Sequence, residues 1–303
     1  MLGMGNNKLY IIGNGFDLQH GIPSEYCDFK VFVHQRNPYL LKAVEDYLPA
    51  GDDWRHLERA LAEIDVNSIV DNLEHLMPSY GADDWSDSGH HDFQYEVGRL
   101  VKCLSIELRQ EFGQWIRQVP IPTPATTQRH LQIIDPTACF LTFNYTPTLQ
   151  VLYDVPDTHI LYIHGRANLP DNDLVLGHAW NPQQRQSLNH RSDIAEIDTR
   201  LVEANVLIDD YFSTTFKPSS RLIQEHRPFF ERLTNLEEVC VLGHSISTED
   251  EPYYHALLAL PGVAATRWRV ACYFDSDFQT MPGRLLKLGV EASRIATCSW
   301  SDV

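Results

Sequence analysis

Five short clusters hold most of the chemical reach of this 303-residue chain: Gly13-Asn14-Gly15-Phe16-Asp17, Asn144-Tyr145-Thr146, His164-Gly165, Gly177-His178 and Gly243-His244-Ser245. Each follows a short apolar run, and a parallel sheet binds its ligands just outside the carboxyl ends of its strands. Glycines without Cβ let backbone N–H groups approach a phosphate, so Gly13 and Gly15 suit a nucleotide-binding turn. The third glycine of the usual dinucleotide fingerprint is missing, and a tight strand-to-helix corner explains the same residues equally well. Asn144 offers a donor and an acceptor to a ribose hydroxyl or a carboxamide; capping the next helix is its other ordinary use.

Histidines raise a different chemistry. His164 at a strand mouth can take a proton near neutral pH, although with 14 histidines in the chain most must be structural. His164, His178 and His244 together suggest a metal centre, but no His-Glu-x-x-His spacing accompanies them, and no metal is expected. Gly243-His244-Ser245 presents backbone N–H groups and a hydroxyl to a phosphate or ribose. Ser245 does not sit in Gly-x-Ser-x-Gly, so a hydrolase nucleophile elbow is unsupported.

The elements that must position these clusters are legible as alternating runs. Residues 8–12, 138–143, 159–165, 173–178, 237–245, 267–274 and 294–300 read as strands, most of them apolar throughout, as expected for a sheet covered on both faces. Residues 25–117 read as mostly helical. Asp53 caps one expected helix, with Trp54, Leu57, Leu61 and Ile64 at helical spacing. A clearer one spans about 92–117, with Phe93, Val97, Leu100, Leu104, Leu108 and Trp115 near one stripe. Residues 79–92 read as a polar loop and 119–127 as a Pro- and Thr-rich connector; residues 186–235, 249–259 and 280–289 return to helix. The expected fold is α/β: a Rossmann-like parallel sheet flanked by helices, residues 1–24 and 130–303, with residues 25–129 as an inserted helical module packed on it.

A net charge of −17 repels a nucleic-acid duplex, so general nucleic-acid binding is not expected. No signal peptide or membrane-length apolar run is visible, which reads as a soluble cytoplasmic protein. The six cysteines form no Cys-x-x-Cys pair, and Cys139, Cys240 and Cys272 lie in apolar runs as expected buried thiols.

The order of the clusters adds a resemblance. "GNGFDLQHGIP" resembles the opening motif of the sirtuin family, a Gly-Ala-Gly-Ile-Ser turn followed by Gly-Ile-Pro at the same spacing. "TFNYT" is similar to its Thr-Gln-Asn-Ile-Asp motif, "YIHG" to its His-Gly motif and "VLGHS" to its Gly-Thr-Ser motif, all in the family's order. The chain resembles the phage abortive-infection family AbiH more closely, through its Gly-Asn-Gly-Phe-Asp-Leu start and its Phe-Asn-Tyr-Thr, Ile-His-Gly and Gly-His-Ser motifs. These fall within residues 9–29 and 140–250; residues 30–117 match only loosely.

The resemblance implies a sirtuin-like core that binds NAD⁺ as substrate. Gly13, Asn14 and Gly15 would face the pyrophosphate. Asn144 would hold the nicotinamide-side ribose or orient a water, and His164 would be the general base there. Gly243 and Ser245 would contact the adenosine-side phosphate or ribose, and Phe16, Asp17, Thr146 and His244 complete the implied cofactor-binding set. Asp17 stands where sirtuins have Ser, Thr146 replaces an Asp, and "SEY" replaces Asp-Phe-Arg after Gly-Ile-Pro. The four zinc-binding cysteines of a deacylase are missing from the sequence. The expected activity is therefore NAD⁺ glycohydrolysis in phage defence, held off by oligomerisation, a partner or a phage-derived trigger. The alternatives are a nucleotide-binding sensor without catalysis and a metal-dependent nuclease or phosphoesterase using His164, His178 and acidic partners.

Overall fold

The computed structural model describes residues 7–81, 89–127 and 129–303. In chain order the strands are β1 (Lys8–Ile12), β2 (Cys139–Thr142), β3 (Ile160–Tyr162), β4 (Glu238–Leu242), β5 (Arg267–Cys272) and β6 (Ile295–Ser299). The first helices are α1 (Asn14–Gln19), α2 (Tyr26–Arg36), α3 (Pro38–Tyr47), α4 (Leu57–Ala60), α5 (Val66–Leu73), α6 (Asp92–Lys102) and α7 (Leu108–Ile116). They are followed by α8 (Thr148–Tyr153), α9 (Thr199–Thr214), α10 (Ser219–Glu225), α11 (Arg227–Glu231), α12 (Glu251–Leu258) and α13 (Asp277–Lys287).

The chain divides into two compact units. One contains the described residues up to Glu25 together with Trp115–Val175 and Pro218–Val303; the other contains Tyr26–Gln114 and Leu176–Lys217.

The first unit is a six-stranded sheet in the order β3-β2-β1-β4-β5-β6. Every pairing is parallel, with Tyr10 opposite Phe140 on one side and Cys240 on the other. Successive side chains of a strand face opposite ways. Leu9, Ile11, Cys139, Leu141, Val239, Val241 and Val270 therefore build one apolar layer with Leu222, Tyr254, Leu257 and Leu285 of the covering helices. Tyr10, Ile12, Phe140, Cys240 and Leu242 build the other with Leu149, Leu152 and Tyr153 of α8. This double burial is why Leu9–Ile12, Cys139–Leu141 and Val239–Leu242 read as apolar runs. Cys139, Cys240 and Cys272 are buried free thiols, as expected.

The second unit is helical, with α6 packed along α9. The expected helix over 92–117 is present as α6 and α7, joined by a π-helical turn at Cys103–Glu107. There the Ser105 hydroxyl donates to the Val101 carbonyl at 2.6 Å. The helix expected after Asp53 is reduced to the single turn α4. Trp54, Leu57, Leu61 and Ile64 are all buried, but Trp54 lies at φ 58°, outside helical geometry, so the apolar spacing reports burial rather than a continuous helix. Nor is 173–178 a strand. A 3₁₀ turn occupies Asp171–Asp173, and His178 makes only an isolated bridge with Phe216. The connector at 119–127 holds no helix or strand, while the polar loop read at 79–92 falls partly outside the described residues. Among the described residues no helix is long and apolar enough to cross a membrane.

Candidate active site

The sheet reverses its order at β1, which pairs with β2 on one side and β4 on the other. The turns leaving β1 and β4 meet there, backbone on backbone. The Gly15 N–H donates to the Gly243 carbonyl at 2.9 Å, and the Gly13 N–H to the Leu242 carbonyl at 3.1 Å. A Cβ on Gly13 would stand 2.5 Å from the His244 Cα, and one on Gly15 would stand 2.8 Å from the Gly243 Cα. Gly243 itself lies at φ +69°, and a Cβ there would reach to 2.1 Å from the Phe16 nitrogen. Only glycine allows that approach. The exposed Asn14 is tied to Ser24: its amide donates to the Ser24 carbonyl at 2.9 Å and accepts from the Ser24 hydroxyl at 2.6 Å.

Phe16 and Asp17 point inward from α1. Phe16 is fully buried, its ring 4.6 Å from that of His20 and 5.9 Å from that of Tyr153. Asp17 accepts hydrogen bonds from the hydroxyls of Thr146 at 2.5 Å and Thr148 at 2.7 Å. Burial pushes its carboxyl up to about 6, against the hydroxyls of Thr146 and Thr148 and the Asn144 amide, which pull it down. Asp17 thus latches α1 to the turn before α8, and Thr146 serves the same latch. Asn144, two residues past β2, donates from its side-chain amide to the Gly13 carbonyl at 3.1 Å, while its own N–H is held by the Thr142 hydroxyl.

The turns after β3 and β4 bring two histidines to one carboxylate. His164 Nε2 lies 3.7 Å from Asp250 Oδ1, and His244 Nε2 lies 3.3 Å from Asp250 Oδ2. His244 Nδ1 faces two donors, the Ile246 N–H at 3.0 Å and the Tyr254 hydroxyl at 2.9 Å. A ring nitrogen facing two donors carries a lone pair, so the His244 proton sits on Nε2, toward Asp250. Burial holds the Tyr254 phenol protonated, well above its ordinary range, which suits a donor. The Ser247 hydroxyl adds a bond to Asp250 Oδ2 at 3.2 Å. Phe143 packs against both imidazoles, 5.2 Å from the His164 ring and 4.1 Å from that of His244. Gly165, at φ +91°, turns the chain directly after His164.

Asn144, His164 and His244 are therefore brought to the carboxyl ends of three neighbouring or near-neighbouring strands. Gly13, Gly15 and Gly243 frame the junction, and Phe16, Asp17 and Thr146 are buried in the elements that follow β1 and β2. Ser245 is exposed, and its carbonyl accepts a bond from Arg284. His178 belongs to the helical unit. Its Nε2 donates to the Phe212 carbonyl at 3.2 Å, and burial pushes its pKa down to about 4, as for a neutral structural histidine. Sequence reasoning missed Asp250. It stands among Glu249 and Glu251, and only the fold selects which of the three acids turns inward.

The model of the family described as "Bacteriophage abortive infection AbiH" matches residues 9–272, a span that includes every residue of this site. No curated protein matches the chain.

Proposed function

The chain belongs to the bacteriophage abortive infection family AbiH, and on that footing we propose that it hydrolyses the nicotinamide–ribose bond of NAD⁺. Membership supports a role in phage abortive infection; the reaction is our reading of the site. The observation that carries it is the convergence of His164, His244 and Asp250 with Asn144 at the sheet's carboxyl edge. The strand order 3-2-1-4-5-6 is that of doubly wound, Rossmann-type dinucleotide folds, whose ligands lie where the order reverses, and this favours a dinucleotide substrate.

Nicotinamide leaves NAD⁺ as a neutral ring, so the reaction asks for positioning and proton removal more than for a strong acid. The C1′–N bond breaks and its electron pair goes to the ring nitrogen. Water oxygen bonds to C1′, and the water's proton passes to His164, giving nicotinamide, ADP-ribose and a proton. Asn144 aligns the ribose or the water. A general base of this kind contributes about 10²–10⁴-fold. The enzyme acts in the cytoplasm and is held off in uninfected cells by its oligomeric state or a partner until a phage component releases it.

Incubation of the protein with NAD⁺, with and without phage lysate, should release nicotinamide and ADP-ribose. Asn144→Ala and His164→Ala should abolish release while the fold survives. Failure to bind NAD⁺ or a related nucleotide in either state would sink the reading. The second reading, nucleotide sensing without turnover, draws on enclosure: His164, His244 and Asn144 are all more than nine-tenths buried. Under it, ligand binds and shifts a conformational equilibrium, with no release to lose.

A further inference from the structure

Resting on the glycohydrolase reading, we propose that Asp250 is the positioning residue for His164, its carboxylate stabilising the imidazolium that forms when His164 takes the water's proton.

Asp250 immediately precedes α12, where an Asp ordinarily spends its carboxylate on the N–H groups of the first helical turn. Here the side chain makes no such cap bond. It turns instead between two imidazoles, with 12 % of the side chain exposed. An ionised carboxylate so enclosed is costly unless donors hold it. The Ser247 hydroxyl donates to Oδ2 and His244 Nε2 lies 3.3 Å from it, while Oδ1 faces His164 Nε2 at 3.7 Å. His244 cannot easily reverse this role, because the Ile246 N–H and the Tyr254 hydroxyl keep its proton on Nε2.

The rings of Phe143, Tyr145 and Tyr253 also pack on His164, at 5.2, 6.4 and 5.6 Å. Phe143 carries no charge, and the two phenols are neutral when protonated. Asp250 is an acid at ion-pair distance from His164, with His244 on its other oxygen. In the step, water oxygen bonds to C1′, the leaving pair goes to nicotinamide, the proton goes to His164, and Asp250 stays ionised throughout.

The test is the titration of His164, read from its imidazole resonances in the full-length protein and assigned by their loss in His164→Gln. Asp250→Asn should lower the pH at which His164 titrates by about one unit. It should also slow nicotinamide release by at least about 10-fold and move the acid limb of the rate profile the same way. Asp250→Glu should restore part of both. Ser247→Ala, which removes a donor from the carboxylate and leaves the core intact, should move the titration upward by a few tenths of a unit. These opposite signs distinguish charge coupling from packing. A His164 titration that neither variant moves, or that both move in one direction, overturns the proposal. Shifts of the expected signs in a protein that releases no nicotinamide uphold the coupling and reject the reaction.

Discussion

Two of the buried carboxylates in the sheet unit, Asp17 and Asp250, are given opposite work by their neighbours. Asp17 is held by the hydroxyls of Thr146 and Thr148. Asp250 lies between the imidazoles of His164 and His244. Hydroxyls satisfy a carboxylate but cannot accept its charge, so Asp17 answers its burial by holding a proton more tightly. Imidazoles can become cations, so Asp250 sits where proton transfer is electrostatically supported. Burial marks neither residue as functional; the kind of partner separates the latch at Asp17 from the proton-handling role proposed for Asp250.

The comparison breaks most sharply at the glycine junction that both share. Gly243→Ala puts a methyl group against backbone at φ +69°, with no flexible side chain to yield. We expect loss of soluble folded protein, a cost above about 4 kcal/mol, read from expression and thermal unfolding. Next, His164→Gln should cut nicotinamide release by about 10²–10⁴-fold while the denaturation midpoint stays close to wild type. A matching loss of stability would make the imidazole cluster a second latch. Asp17→Ala should do the reverse and cost roughly 3 kcal/mol of stability in urea, since it strands two buried hydroxyls.

The protonation of Asp17 gives a further test. Its folded pKa, about 6, lies above the unfolded carboxylate value of about 3.9, so the folded state binds the extra proton between these limits. Its contribution is complete below about pH 4 and is lost as pH rises through about 6, a swing on the order of 2–3 kcal/mol. Asp17→Asn should flatten that part of the stability profile; an unchanged slope would mean the proton is bound elsewhere. The smallest effect is expected from Thr148→Val, about 1 kcal/mol, because the Thr146 hydroxyl remains on the carboxylate.

Much of the sheet was legible in the sequence because doubly covered strands must be apolar along their length. Leu9 to Ile12 and Val239 to Leu242 illustrate it: the core leaves little room for polar alternation. The run at 173–178 carried the same apolar signal without a strand, because it packs through a turn and a bridge rather than a ladder. Trp54 misled in the same way, buried at helical spacing but held at a positive φ. In the site, Asn144, His164 and His244 were legible because each stands two residues past the end of a strand. Asp250 was not, since its inward turn depends on where α12 begins and on the histidines contributed by two distant turns. Asp17 was visible as a residue but not as a latch, because Thr146 and Thr148 approach it across more than a hundred residues of chain.

The contact between the turns after β1 and β4 also constrains how this protein can change. Most tight packing can drift, because a larger side chain on one surface is offset by a smaller one opposite. Gly13, Gly15 and Gly243 meet through backbone atoms, and none has a side chain left to shrink. A substitution at any of the three therefore has no partner change nearby that could rescue it. Suppressors of such a lesion would have to act by shifting whole strands, so a saturation screen should return these positions as isolated vetoes rather than as members of covarying pairs.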